Sequence, residues 1–127
     1  MIDFEIAGRK IGRSFEPFIV AEISANHNNS LARALNLIDE AKKAGADAIK
    51  LQTYKASTIT LKSKKKDFLI KDKNSLWHGK YLYDLYKIGS TPWNWHKELF
   101  ERAKKNKIIC FSSPFDETAV DFLSKLK

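Results

Sequence analysis

An apolar run at residues 18–23 contains one carboxylate, Glu22, near its end. Its β-branched residues favour a strand covered on both faces, as in parallel sheets. A charge at the end of such a strand is costly unless a partner neutralises it. Because parallel α/β folds place functional groups at the carboxyl ends of strands, we expect Glu22, Asn26 and His27 to contribute to a site. The alternative is a strand that simply ends in a polar loop.

Two further runs have the same form, an apolar strand that ends in polar residues. Residues 47–52 form the second run, and strand alternation places Lys50 and Gln52 on one side of it. Residues 107–113 form the third run, which ends in two serines. Three strands that each end in polar groups predict one shared pocket.

Helical patterns separate these strands. Ser30 is placed to cap a helix, Gly45 is placed to end it, and the apolar residues between them recur at helical spacing. This order predicts a right-handed βαβ unit with parallel strands. Thr91 followed by proline, and Ser113 followed by proline with Asp116 in the capping-box position, predict two later helix starts.

Two segments lie outside this pattern. Residues 2–17 predict a hairpin, with strands at 4–6 and 10–11 and a turn at 7–9. Residues 53–91 form a long insert, lysine-rich and then aromatic, and its residues 82–86 suggest a short helix. Inserts of this length are usually functional or carry small elements of their own, and we expect this one to lie over the pocket.

The totals fit one modest domain with a reduced cysteine. The chain has 127 residues, a net charge of +8 and one cysteine, Cys110, so no internal disulfide is expected and the cytoplasm is the expected compartment. No apolar run approaches the roughly 20 residues of a membrane span, so we expect no membrane partner. Charged residues among the first twenty argue against a signal peptide.

Lys50 is the strongest single candidate for chemistry. A lysine buried in an apolar strand needs an anion, either a carboxylate of the protein or an anionic ligand such as phosphate. Ser112 and Ser113 stand where the third strand meets a helix start, a position that favours anions, although Ser113 can instead serve only as a cap. The three histidines show no metal-ligand spacing, so we predict no metal ligand in this chain.

The lysine-rich insert has two readings. Together with its nearby aromatic residues it imitates a nucleic-acid-binding patch, which keeps a non-enzymatic basic module as an alternative. A solvated loop is the more ordinary explanation of such a charge run, so we expect no nucleic-acid partner.

Four motifs resemble the sialic acid synthases. They are Ala21–Glu22–Ile23–Ser24–Ala25–Asn26–His27, Asn29–Ser30–Leu31, the run from Ala44 to Thr53 and Phe111–Ser112–Ser113–Pro114–Phe115. The variant at 24–27, together with residues 76–77, 82–86 and 91–96, resembles the pseudaminate-forming branch, with the neuraminate- and legionaminate-forming branches as alternatives. Asn29 stands where the family often has glycine, and asparagine also tolerates left-handed backbone.

The resemblance implies the amino-terminal part of a TIM (β/α)8 barrel in an α/β protein, with about three βα units after a hairpin at 1–17. The remaining barrel and a small antifreeze-like domain would lie outside residues 1–127, because a complete barrel needs roughly 250 residues. The full-length parent would be a homodimer that condenses phosphoenolpyruvate with an N-acetylated amino-sugar. It would use Mn²⁺ or Mg²⁺ held outside this chain, and the segment alone would be inactive.

The resemblance also assigns roles to the candidate residues. Lys50 and Ser113 would bind phosphoenolpyruvate, and Glu22 and Gln52 would bind the amino-sugar. Glu22 and Lys50 are the catalytic candidates. The substrate-binding candidates are Asn26, His27, Lys50, Gln52, Ser112 and Ser113.

Overall fold

A computed structural model describes residues 4–126, and it contains two separate sheets. Strands β1 (Phe4–Ile6) and β2 (Arg9–Ile11) form an antiparallel hairpin. Strands β3 (Val20–Glu22), β4 (Ala48–Thr53) and β5 (Ile109–Pro114) form a parallel sheet in that order. The predicted α/β class, with three parallel strands after a hairpin, is confirmed. Residues 1–3 of the predicted hairpin segment lie outside the described residues.

Helices connect and follow the parallel strands. They are α1 (Leu31–Lys43), α2 (Ala56–Ile59), α3 (Leu82–Gly89), α4 (His96–Lys105) and α5 (Glu117–Ser124), with 3₁₀ turns at Lys66–Phe68 and Trp93–Trp95. The order β3–α1–β4 and then α4–β5–α5 is the alternation that a TIM barrel repeats. Among residues 4–126, no helix is both long enough and apolar enough to cross a membrane.

The hairpin turn is shorter than the sequence predicts. Residues 7–8 alone form it, both with positive φ of 48° and 86°, and Arg9 belongs to β2. Such a two-residue turn matches the twist of the two strands. The guanidinium of Arg9 pairs with Asp47 and also donates to the carbonyl of Pro17 at 2.9 Å. The Asp47 carboxylate in turn accepts from the Ile19 backbone at 2.7 Å, so the hairpin is fastened to the amino-terminal end of the sheet.

Helix α1 begins and ends where the sequence predicts. The Ser30 hydroxyl accepts from the backbone N–H of Arg33 at 3.2 Å, as a capping side chain does. Gly45, with φ of +91°, follows the end of the helix. The core lies between the sheet and helices α1 and α4. Its buried residues are Ile23, Ala34, Leu35, Ile38, Ala46, Ile49, Leu51, Leu99, Ala103 and Ile108.

Helix α4 begins later than predicted. Thr91 is buried and does not cap it, because a 3₁₀ turn at Trp93–Trp95 comes first and the helix starts at His96. The Thr91 hydroxyl instead lies against the imidazole of His27. Burial of this threonine, which local sequence does not reveal, outweighed its capping preference.

Helix α5 also begins later than predicted. Ser113 remains in β5, where it pairs with Gln52 in the ladder, so it cannot cap a helix. The cap is Asp116, whose carboxylate accepts from the Ala119 backbone at 3.1 Å. The prediction that Ser113 caps the helix and Asp116 completes a capping box is therefore wrong, because Asp116 itself is the N-cap.

The insert at 53–91 carries small elements of its own, as predicted. It contains α2, a 3₁₀ turn, a bridge between Leu69 and Tyr81, and α3, which begins at the expected residue 82 and continues beyond 86 to Gly89. Tyr54 anchors its beginning, because this 6% exposed ring makes edge contacts with Tyr86 at 6.2 Å and Phe115 at 5.3 Å between centroids. Such aromatic pairs add stabilisation beyond the buried area.

Candidate functional site

Glu22 and Lys50 form an ion pair across two strands. They are register partners on β3 and β4, and the Lys50 ammonium contacts the Glu22 carboxylate. The sequence predicts a buried Lys50, but 30% of its side chain is exposed. The reason is that helices cover only the opposite face of β4 among the described residues. The sequence leaves two partners open for Lys50, a carboxylate of the protein and an anionic ligand. The structure pairs Lys50 with a carboxylate of the protein, that of Glu22.

Gln52 and Ser113 extend this pair along the same face. Lys50 and Gln52 are two residues apart on β4, and Gln52 is the register partner of Ser113 on β5. Leu51, between them, points to the helices and is 1% exposed. We call Glu22, Lys50, Gln52 and Ser113 the polar face. It lies at the carboxyl ends of three parallel strands and presents an anion, a cation, an amide and a hydroxyl.

Ser112 lies on the other face of the sheet. Its register partner is Leu51, and its hydroxyl oxygen lies 2.6 Å from that of Thr53. The two serines that end the third apolar run therefore have different surroundings. The structure brings Ser113 to the polar face and directs Ser112 toward the helices.

His27 is fully buried and bonded to protein groups at both ring nitrogens. Its Nδ1 accepts from the backbone N–H of Asn29 at 3.1 Å, so the proton of the neutral ring is on Nε2. That nitrogen donates to the Thr91 hydroxyl at 3.3 Å, and the ring meets Trp95 edge-on at 5.5 Å. Burial lowers the pKa of His27. His27 thus joins the loop after β3 to the segment that precedes α4.

Asn26 is exposed in the loop that follows β3. Its amide donates to the carbonyl of Ile23 at 3.0 Å, and it lines an open cleft along the edge of β3 together with Glu22. The loop turns sharply, with φ of +47° at Ser24 and +55° at Asn29. Asn29 thus adopts the left-handed backbone that asparagine tolerates. Asn26 therefore lies at the edge of β3, where residues of α1 complete the cleft, and His27 is buried beneath the same loop.

A buried polar cluster behind the polar face was missed by sequence reasoning. The Thr53 hydroxyl lies 2.7 Å from Nε2 of His96, and Nδ1 of His96 lies 3.3 Å from the carbonyl of Pro92. Both Thr53 and His96 are fully buried, and burial lowers the pKa of His96. The sequence does contain a signal for the burial of His96. This residue precedes Leu99 by three positions and therefore lies on the apolar face of α4.

The described residues do not supply a metal site. Between residues 4 and 126, no three histidine, cysteine, aspartate or glutamate side chains come together in a way that could hold an ion. Cys110 is not poised as a nucleophile, because burial raises the pKa of its thiol to about 12.

The sequence matches a known family and is similar to enzymes of defined activity. The model of the NeuB family matches residues 37–127. The pseudaminic acid synthase of Campylobacter jejuni subsp. jejuni is 53% identical over 108 residues, which are 85% of this chain and 31% of that protein. The pseudaminic acid synthase of Helicobacter pylori is 48% identical over 110 residues, 87% of this chain and 32% of that protein. The chain thus spans roughly a third of the length of these relatives.

A solved structure has the same fold over the same segment. It is the N-acetylneuraminic acid synthetase of Leptospira borgpetersenii in complex with citrate, with a TM-score of 0.76 and 29% identity. The match covers 98% of this chain and 38% of that protein. The hairpin and the three βα units are therefore an arrangement that occurs within a longer synthetase chain.

Proposed function

The chain belongs to the NeuB family, and we propose that the protein in which it works is a phosphoenolpyruvate-dependent synthase. It condenses phosphoenolpyruvate with a 2,4-diacetamido-trideoxy hexose to give pseudaminic acid and phosphate. The polar face carries this proposal, because it offers a cation for an anionic substrate beside groups that bind hydroxyls and amides. The choice of sugar rests on the 53% identity to a pseudaminic acid synthase.

Each residue of the polar face has a role in this proposal. Lys50 binds the phosphate or carboxylate of phosphoenolpyruvate through a charge-assisted hydrogen bond, and Ser113 donates its hydroxyl to the same substrate. Glu22 accepts hydroxyl or amide protons of the amino-sugar, and Gln52 can both donate and accept there. Glu22 and Lys50 are the proposed catalytic residues, because they carry the two opposite charges of the polar face.

The remaining candidates act in two ways. Asn26, exposed at the edge of β3, is a direct substrate contact in this proposal. His27 and Ser112 support the site indirectly, because their polar atoms are already bonded to protein groups. This separates the residues that touch substrate from those that hold the strand ends in place.

The reaction balances with water as the third reactant. The methylene carbon of phosphoenolpyruvate attacks the aldehyde carbon of the sugar, a C–C bond forms, and the aldehyde oxygen takes up a proton. Water adds to the resulting oxocarbenium-like carbon and loses a proton. The carbon–oxygen bond to phosphate then breaks as the added hydroxyl gives up its remaining proton, leaving the ketone of the product and free phosphate. Lys50 must leave Glu22 in part to bind phosphoenolpyruvate, so substrate binding breaks an existing ion pair.

Three parts of the proposal depend on residues outside this segment. In this proposal the Mn²⁺ or Mg²⁺ of the full-length protein has its ligands there, and no step above is assigned to it. The rest of the barrel and an antifreeze-like domain also lie outside residues 1–127. The complete enzyme is a homodimer in the cytoplasm.

Phosphate release from the full-length protein tests this function. We expect release with phosphoenolpyruvate and the diacetamido sugar, and much less when either substrate is omitted. Turnover of N-acetylmannosamine in preference to the diacetamido sugar would identify a neuraminate synthase instead. Preference for the legionaminate precursor would move the assignment to that branch.

A further inference from the structure

We propose that Thr53 and His96 are positioning residues that hold the carboxyl ends of β4 and β5 at a fixed separation. They act through a buried chain of hydrogen bonds that runs from the Pro92 carbonyl to the Ser112 hydroxyl. This inference rests on the function proposed above, because it concerns the residues that would bind phosphoenolpyruvate.

The direction of each hydrogen bond follows from the first acceptor. The Pro92 carbonyl can only accept, so Nδ1 of His96 carries a proton and donates across 3.3 Å. Because burial keeps the imidazole neutral, Nε2 has a lone pair and accepts from the Thr53 hydroxyl at 2.7 Å. Thr53 has then used its only proton, so its oxygen accepts from the Ser112 hydroxyl at 2.6 Å.

The hydrogen bond between Thr53 and Ser112 lies directly behind two residues of the polar face. Thr53 and Ser112 are not register partners, so their bond crosses diagonally from β4 to β5. It spans the pair Gln52 and Ser113, which are register partners on the opposite face. A change in the Thr53–Ser112 distance therefore changes the relative position of Gln52 and Ser113.

Helix packing fixes the His96 end of this series of hydrogen bonds. The His96 ring meets the Phe122 ring of α5 edge-on, with 5.3 Å between centroids. Trp93 stacks on the Phe122 ring, with 4.6 Å between centroids. The indole N–H of Trp93 donates to the Tyr54 carbonyl at 3.3 Å. The imidazole is thus held between α4, α5 and the end of β4, and can transmit that rigidity to Thr53.

Two comparisons with Thr53 variants of the full-length synthase test the role of the Thr53 hydroxyl. Thr53→Val removes the hydroxyl at nearly constant volume, and Thr53→Ser keeps it. Thr53→Ala and Thr53→Ser form a second pair that differs by the hydroxyl alone, so the test survives if the valine variant does not fold. We expect Thr53→Val and Thr53→Ala to raise KM for phosphoenolpyruvate about tenfold, the effect of losing one buried hydrogen bond. We expect kcat to change less than KM, and Thr53→Ser to stay close to wild type.

Other results would overturn the inference. A lower Tm for Thr53→Val with unchanged KM would mean that the cluster only stabilises the fold. An equal rise in KM for Thr53→Ser and Thr53→Ala would assign the effect to the lost methyl group.

A second measurement separates this inference from the proposed function. If the wild type shows no phosphoenolpyruvate-dependent turnover, the function fails, and NMR of labelled protein still tests the positioning role. We expect the His96 imidazole to carry its proton on Nδ1, and the Gln52 and Ser113 amide signals to move in Thr53→Val but not in Thr53→Ser. A proton on Nε2, or unmoved amide signals, would contradict the hydrogen-bond chain.

Discussion

Glu22 and Lys50 neutralise each other across β3 and β4 on the uncovered face of the sheet. With 48% and 30% of their side chains exposed, both groups remain accessible to a ligand while they are paired. An exposed pair of this kind contributes little to stability. The pair is better explained by a role in binding, because it keeps two opposite charges at the strand ends.

Replacing Lys50 tests the cation of the polar face. Lys50→Ala in the full-length protein should lower kcat/KM for phosphoenolpyruvate by about tenfold to a hundredfold, because a charge-assisted bond is worth roughly 1.5–3 kcal/mol. Steady-state kinetics with phosphoenolpyruvate varied would measure this, and Lys97→Ala, an exposed lysine on α4, is the matched control. A folded Lys50→Ala enzyme with unchanged phosphoenolpyruvate kinetics would remove Lys50 from the site.

Glu22→Gln tests the negative charge of the polar face while the shape of the side chain is kept. The amide keeps the size of the side chain but accepts hydroxyl or amide protons more weakly, so KM for the amino-sugar should rise by about tenfold or more. The KM for phosphoenolpyruvate should change less, because Lys50 loses a competing partner. Titration of each substrate at saturating concentration of the other gives both values. A larger effect on phosphoenolpyruvate than on the sugar would reverse the roles assigned here.

The two buried histidines predict acid sensitivity. Burial lowers the pKa of both His27 and His96 below 6.5, so the unfolded state binds more protons in that range. Their contribution to stability is therefore complete above pH 6.5 and is lost as the pH falls through their folded pKa values. Thermal unfolding of the full-length protein at pH 7.5 and pH 5.5 would measure the loss. A His27→Gln variant should lose less on acidification than the wild type, and an equal loss would argue against His27 as a source.

Local sequence predicted the strands and the members of the polar face, and tertiary contacts decided the rest. Strand alternation alone placed Lys50 and Gln52 together, because a period of two is a property of any strand. It did not separate Ser112 from Ser113, since that depends on where β5 ends. The contact between Thr53 and His96 joins residues 43 positions apart, and no local pattern encodes such a distance.

The uncovered sheet predicts how residues 1–127 behave when they are expressed alone. β3 and β5 are the outer strands of the described sheet, so each presents one unpaired edge. Several apolar side chains on this side are also substantially exposed, including Val20 at 38% and Phe111 at 40%. Burial of the remaining core is then too small to offset chain entropy, and we expect no sharp thermal transition and strong binding of a hydrophobic dye.

The same segment should also release no phosphate from phosphoenolpyruvate with the amino-sugar and Mn²⁺, because the proposed metal ligands and the rest of the proposed barrel lie outside it. Calorimetry and a phosphate assay on one preparation would test both expectations, with the full-length protein as the positive control. A monomer with a cooperative transition would contradict the folding argument. Sugar-dependent phosphate release by the segment would mean that Glu22, Lys50, Gln52 and Ser113 suffice for the reaction.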